Sequence, residues 1–149
     1  MSYRSLKSRK LKPEELSEAY HLYKALLGPY IHEVYGWDES FQAKRFSTTY
    51  KLDQFFWYIQ EDEKKVLVCK NVSDDYCHLH LFLVPKKYQS QGVGKNVMFA
   101  LQNETFSQSQ VITLSSFKCN SIACDFYRSL GYTIIKDDDD FFTFALSNE

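Results

Sequence analysis

The sequence has no apolar run near the ~20 residues that a membrane-spanning helix needs. Its start, Met1-Ser2-Tyr3-Arg4, lacks the apolar core of a signal peptide. These two absences predict a cytoplasmic protein with reduced thiols and no membrane partner. Cys69, Cys77, Cys119 and Cys124 form no Cys-x-x-Cys pair, so no metal site is expected and the thiols read as buried and free. Charge of neither sign dominates: the formal net charge of -1 excludes a global pull toward nucleic acid or an anionic membrane. The locally basic stretch of Arg4, Lys7, Arg9, Lys10 and Lys12 reads as a solvated strand edge or turn, and no aromatic RNA motif accompanies it. Internal repeats, low-complexity tracts and linkers are also missing, so the 149 residues are expected to form one domain, 1–149.

What is present is the balance of a globular protein, with 44% hydrophobic and 25% charged residues. Aromatic residues reach 17%, enough for an aromatic core or a lined cleft. An extended piece is expected near Tyr3 to Lys7. Pro13-Glu14-Glu15 then suits a first helical turn, since proline is tolerated there and acids favour the positive end of the helix dipole. Leu16, Tyr20, Tyr23 and Leu27 recur at helical spacing, and Gly28-Pro29 predicts the end of that helix. A second helix is expected from Pro29 to Tyr35, stopped by Gly36, and a third from Asp38-Glu39 through Phe46. The period then changes. Residues 55–59, 65–70 and 76–84 read as a three-strand antiparallel meander, with polar turns at 61–64 and 71–75. The second half alternates: a helix from Gly92 to about Asn103, a strand at Val111 to Leu114, and a helix from Asn120 to Leu130. A hairpin of Tyr132 to Ile135 with Phe141 to Ala145 closes the chain around a solvated turn, Asp137 to Asp140.

The most informative segment runs from Leu81 to Lys95, where a strand leads through Gln89-Ser90-Gln91-Gly92-Val93-Gly94 into a helix. A helix start with two glycines offers unpaired N–H groups, a positive dipole end and room for close approach of a phosphate. Lys86, Lys87 and Lys95 add charge nearby. A Walker loop fails here because Gln89 and Asn96 occupy two of its fixed positions, and the dinucleotide fingerprint fails at Val97.

Gln89-x-x-Gly92-x-Gly94 resembles the acetyl-CoA loop of the GNAT N-acetyltransferase superfamily. A second segment, Asn120-x-x-Ala123-x-x-x-Tyr127-x-x-Leu130-Gly131-Tyr132, resembles that family's other signature, and both follow an expected strand. The resemblance covers nearly the whole chain. It implies an α/β (α+β) fold with a mixed, mostly antiparallel sheet of six to seven strands and helices on both faces. It also implies an acyltransferase with acetyl-CoA as cofactor and an amine acceptor as partner.

Carried over residue by residue, the resemblance places the pantetheine arm along the backbone of Phe82, Leu83 and Val84. The pyrophosphate falls on Gln91, Gly92, Val93, Gly94 and Lys95, with Gln89 and Ser90 at the loop entrance. Asn120 is a candidate for holding the pantetheine arm, and equally an N-cap. Tyr127 matches the position of the general acid that protonates the departing thiolate, with core packing as the alternative. A strand N–H near Phe82 or Leu83 is the candidate oxyanion donor. His78 and His80 share one face of their strand, and His78 falls where histone-acetylating relatives place a catalytic Glu. His78 is therefore the candidate base, ahead of His80, with Glu33 as a substitute. Tyr30, Glu33 and Trp37 stand at helix-like spacing if the turn continues past Gly36, and with Asp38 and Glu39 they are candidates to receive a cationic amine. A non-catalytic acetyl-CoA sensor is the alternative function, and the C-terminal hairpin is a candidate homodimer surface.

Overall fold

The computed structural model describes residues 6–148, so Tyr3, Arg4 and Ser5 of the expected N-terminal strand lie outside the described residues. The strands are β1 (Lys7–Lys10), β2 (Phe55–Gln60), β3 (Glu63–Val72), β4 (Tyr76–Leu83), β5 (Val111–Phe117), β6 (Thr133–Asp137) and β7 (Phe141–Ser147). The helices are α1 (Leu16–Tyr35), α2 (Glu39–Thr49), α3 (Val93–Phe106) and α4 (Ser121–Ser129). Seven strands form one mixed sheet in the order β1-β2-β3-β4-β5-β7-β6, so the fold is α/β as expected. Two compact units are recognisable, one running to Cys69 and including Leu81–Ala100, the other Lys70–His80 with Leu101 onward.

In the first unit β2 pairs antiparallel with both β1 and β3. The β2–β3 turn is only Glu61-Asp62, both left-handed (φ 56° and 60°), the conformation a two-residue hairpin needs to match strand twist. The core here is aromatic. Phe46 of α2 lies 5.0 Å from Tyr23, 5.4 Å from Tyr50 and 5.7 Å from Phe55 between ring centroids, and Tyr23 donates to Gln42. Part of the high aromatic content goes into this packing. At the N-terminal end Glu15 accepts both guanidinium nitrogens of Arg9, at 2.9 and 2.8 Å, the Lys12 amide at 2.9 Å and the Lys64 ammonium at 3.2 Å. Arg9 is thus an ion-pair partner, not simply a solvated charge.

One expectation is overturned. Gly28-Pro29 does not end a helix, because α1 continues through both to Tyr35. A proline inside a helix loses a bond and crowds the preceding turn at a cost of about 3 kcal/mol. Tertiary contacts offset that loss. Gly36 (φ 81°) turns the chain back so that the Trp37 ring lies against Gly28, where an added Cβ would stand 3.6 Å from Cζ3. Glu39 then accepts from Tyr20 (2.7 Å), Lys24 (2.5 Å) and Trp37 Nε1 (3.0 Å), joining α1 to the start of α2. Asp38 caps α2 through the Phe41 amide, and α2 runs on to Thr49, beyond the expected Phe46.

In the second unit β5 is bordered on one side by the parallel ladder to β4, from Tyr76↔Val111 to Leu79↔Leu114. On its other side it pairs antiparallel with β7 along its whole length, so it reaches Phe117 rather than stopping at Leu114. Phe144, fully buried on β7, meets Tyr127 at 5.7 Å and Phe142 at 6.1 Å. The β6–β7 turn holds the acidic run. There Asp137 pairs with Lys118, and the Lys118 amide donates to the Asp140 carbonyl at 2.9 Å, so the run is partly neutralised by a neighbour on the same side of the sheet end.

Candidate active site

The loop after β4 begins with a short 3-10 turn, Lys86–Tyr88, whose Tyr88 amide donates to the Pro85 carbonyl. The Gln89 side-chain Nε2 donates to the Val84 carbonyl at 2.9 Å, and the Gln91 side-chain Nε2 to the Lys87 carbonyl at 2.7 Å. These two glutamines fold the loop back on its own backbone. Ser90 (φ 63°) and Gly92 (φ 79°) are both left-handed, and a Cβ added at Gly92 would meet nothing within 4 Å. Backbone conformation, not crowding, therefore calls for glycine at 92, and the space beside it is open to a ligand. α3 starts at Val93, with Asn96 donating to the Gly92 carbonyl, so the preceding N–H groups have no acceptor within the helix. Lys95 and Lys87 extend over the rings of Phe99 and Tyr88, at 5.8 and 5.1 Å. A helix of 14 residues, open backbone at Gly92 and neighbouring cations fit a bound pyrophosphate.

Of the three strand residues assigned to the pantetheine arm, Leu83 is buried and Phe82 half-buried, while the Val84 carbonyl is already engaged by Gln89. Along β4 the odd positions from Cys77 face the core, and His78, His80 and Phe82 share the other face. The His78 and His80 rings stand 4.9 Å apart. His78 Nδ1 lies 2.8 Å from Thr113 Oγ1, directly across the β4–β5 ladder. Burial, and then the neighbouring His80, hold the His78 imidazole below its ordinary pKa, and burial does the same for His80. Both rings are thereby kept neutral at physiological pH and able to accept a proton. Thr113 escaped the sequence reading because β4–β5 register is a tertiary property; the even spacing of Val111, Thr113 and Ser115 was the available signal.

Asn120 caps α4, its side-chain oxygen accepting the Ala123 amide at 3.1 Å. The rest of that motif ends the helix. Tyr132 donates from its backbone to the Tyr127 carbonyl (3.1 Å) and Gly131 to Arg128 (3.0 Å), with Gly131 at φ 95°. This is a Schellman cap, and the Tyr127–Tyr132 ring contact at 5.9 Å supplies its usual apolar clasp. The Leu-Gly-Tyr triplet therefore has a structural reason independent of chemistry. Tyr127 itself is 8% exposed, and burial, with Cys124 beside it, raises its phenol above the ordinary value. The hydroxyl therefore stays protonated at neutral pH.

The expected acceptor residues do not form one helical face. Tyr30 (half-buried) and Glu33 (exposed) lie on α1, but the helix ends at Tyr35 and Trp37 folds back onto Gly28. Glu39 accepts three donors, and Asp38 is committed to its cap.

The sequence matches the family model described as the acetyltransferase (GNAT) domain over residues 30–142, about three quarters of the chain. The chain belongs to the GNAT acetyltransferase family. GNAT domains are enzymes that use acetyl-CoA, and the Gln89–Gly94 loop and the Asn120–Tyr132 motif both fall within the matched span. No curated protein matches the sequence. Among solved structures, the PaiA N-acetyltransferase of Thermoplasma acidophilum, in complex with coenzyme A, is similar with a TM-score of 0.78 and 14% identity, covering 97% of this chain and 99% of that one. The ribosomal-protein-S18-alanine N-acetyltransferase of Escherichia coli gives 0.68 and 20%, covering 95% and 93%. Arabidopsis thaliana Naa50, in complex with the bisubstrate analogue CoA-Ac-MVNAL, gives 0.67 and 14%, covering 97% and 99%. At these identities the likeness is one of GNAT fold. Among the described residues no helix of this GNAT protein is long and apolar enough to cross a membrane.

Proposed function

We propose that this chain moves an acetyl group from acetyl-CoA directly to a primary amine of a small molecule or a protein. The observation that carries this reading is the Gln89–Gly94 loop. It is folded by its own glutamines, left-handed at Ser90 and Gly92, and set at the start of a long helix within the matched GNAT span. Bound acetyl-CoA would supply the activated thioester. The N–H groups of Gln91 to Lys95 bind its pyrophosphate, with Lys86, Lys87 and Lys95 adding charge. The backbone of Phe82 and Leu83, on the strand that leads into this loop, would take the pantetheine arm as an added strand, as the GNAT resemblance implies. Asn120, which caps α4 by accepting the Ala123 amide, is the residue that the GNAT resemblance assigns to that arm.

Two proton transfers complete the reaction. His78 accepts the proton of the amine, directly or through water, at Nε2. That requires Nδ1–H to donate to Thr113 Oγ1, so Thr113 is a positioning residue that selects the tautomer. Tyr127 donates its phenolic proton to the departing thiolate. Thr113→Val keeps the shape of β5 and removes the hydroxyl. The 15N imidazole shifts of His78 should then report a tautomer mixture, and kcat/KM should fall about tenfold at unchanged KM for acetyl-CoA; an unaltered tautomer would remove Thr113 from the mechanism.

The experiment that tests the function is CoA-thiol release from acetyl-CoA across polyamines, amino acids, aminoglycosides and peptides. Release with one amine class is the expected result. Binding of acetyl-CoA without release for any amine would instead favour a non-catalytic sensor, and failure to bind it would overturn the reading of the loop.

A further inference from the structure

We propose that Tyr88, Glu63 and Lys65 form a clamp that fixes the Gln89–Gly94 loop to β3 and so sets its affinity for coenzyme A. The inference rests on the reading of that loop as the cofactor site. Tyr88 closes the 3-10 turn and immediately precedes Gln89. Although it sits in a loop of exposed polar residues, Tyr88 is only 8% exposed. Its hydroxyl donates to Glu63 Oε1 at 3.1 Å. The same carboxylate oxygen receives the Lys65 ammonium at 3.1 Å, and that ammonium stands 4.1 Å above the Tyr88 ring. The three side chains therefore close a triangle in which every pair is in contact.

Lys65 is itself 8% exposed, an unusual place for an ammonium unless it is paired. Here the carboxylate and the ring face together replace its water, and the Glu63 carboxyl is held below its ordinary pKa by Lys65 first and Tyr88 second. A loop that adopts two left-handed residues, one of them Ser90, would sample other conformations if its base were loose. The glutamines fold the loop upon itself, through Val84 and Lys87. The clamp does something different, because it ties the loop's base to the neighbouring strand β3. Binding a pyrophosphate on backbone N–H groups depends on those groups already pointing at one spot, so the clamp acts through preorganisation. Tyr88, Glu63 and Lys65 are positioning residues in this scheme.

The test measures coenzyme A binding to the full chain by calorimetry, with amide hydrogen exchange and thermal unfolding on the same samples. Tyr88→Phe keeps the ring under Lys65 and removes one bond; Glu63→Gln removes the charge that holds Lys65; Lys65→Arg keeps a cation over the ring. Tyr88→Phe and Glu63→Gln should weaken coenzyme A about tenfold, as loss of preorganisation worth one hydrogen bond predicts. They should also speed exchange at Gln89 to Lys95, while Lys65→Arg stays close to wild type. Variants that melt earlier yet bind coenzyme A as tightly as wild type, with unchanged exchange in the loop, would show a purely structural role and overturn the clamp. If wild type itself does not bind coenzyme A, the cofactor reading falls and this inference with it.

Discussion

Tyr127→Phe is expected to lower kcat by about 10²–10³-fold while leaving coenzyme A affinity within twofold of wild type, the range for removal of one general acid. The change removes a single oxygen. Contacts of the ring with Tyr132 and Phe144 are retained, and the Schellman bonds beneath it are made by backbone. Stability should consequently change by no more than about 1 kcal/mol, the net worth of an ordinary hydrogen bond. Buried as it is, the phenol holds its proton above the ordinary tyrosine range. Deprotonation of Tyr127 therefore adds no alkaline decline to the kcat profile below pH about 10. Steady-state kinetics with the amine identified by thiol release, beside calorimetry with coenzyme A, provide the check. A variant with wild-type kcat would reduce Tyr127 to the clasp of its helix cap and return the acid to solvent or another group.

The second large effect concerns stability. Glu15→Ala should destabilise the protein by about 2 kcal/mol at pH 7, since it leaves Arg9 without its bidentate carboxylate and Lys64 with Glu18 alone. Hydrogen bonding from Arg9 above all, with the Lys12 amide and Lys64, lowers the Glu15 carboxyl from 4.5 to about 2. Taken whole, such a shift would correspond to about 3 kcal/mol. Arg9 and Lys64 are each about one-third exposed at the side chain, so solvent screening reduces it. The sign follows from the depressed value. The folded state binds the proton less readily than the unfolded chain, so the contribution is complete above pH about 4.5 and is lost as pH falls toward 2. Urea unfolding of wild type and Glu15→Ala should thus differ most near neutrality and converge near pH 2. A constant gap across that range would mean that Glu15 acts through packing alone.

How far the sequence could be read depended on how local each feature is. The 55–60 strand and the Asp38 and Asn120 caps are decided by residues within a few positions of one another, whereas the turn expected over 61–64 closes at Glu61-Asp62 because Glu63 already pairs with Gln60. The Gln89–Gly94 loop is local too, since its fold rests on its own glutamines and on left-handed Ser90 and Gly92. The failures were of another kind. Gly28-Pro29 carries a local stop signal, and it was overridden by Trp37 and Glu39 arriving from beyond the next turn. That same return takes Trp37 out of the helical spacing it would share with Tyr30 and Glu33.

The chain's own order of residues determined the family, the Gln89–Gly94 turn into α3 and the alternation that puts His78 and His80 on one face of β4. These rest on backbone propensity, period and short-range capping, which act wherever the segment is placed. Tertiary structure alone decided that Thr113 meets His78, that Tyr88 reaches Glu63 and Lys65, and that Arg9 and Lys64 share Glu15. Each of those contacts joins residues whose meeting depends on strand register or on a helix crossing. The physical reason is that register and crossing are fixed by burial of whole faces at once, a sum over distant residues that no short segment contains.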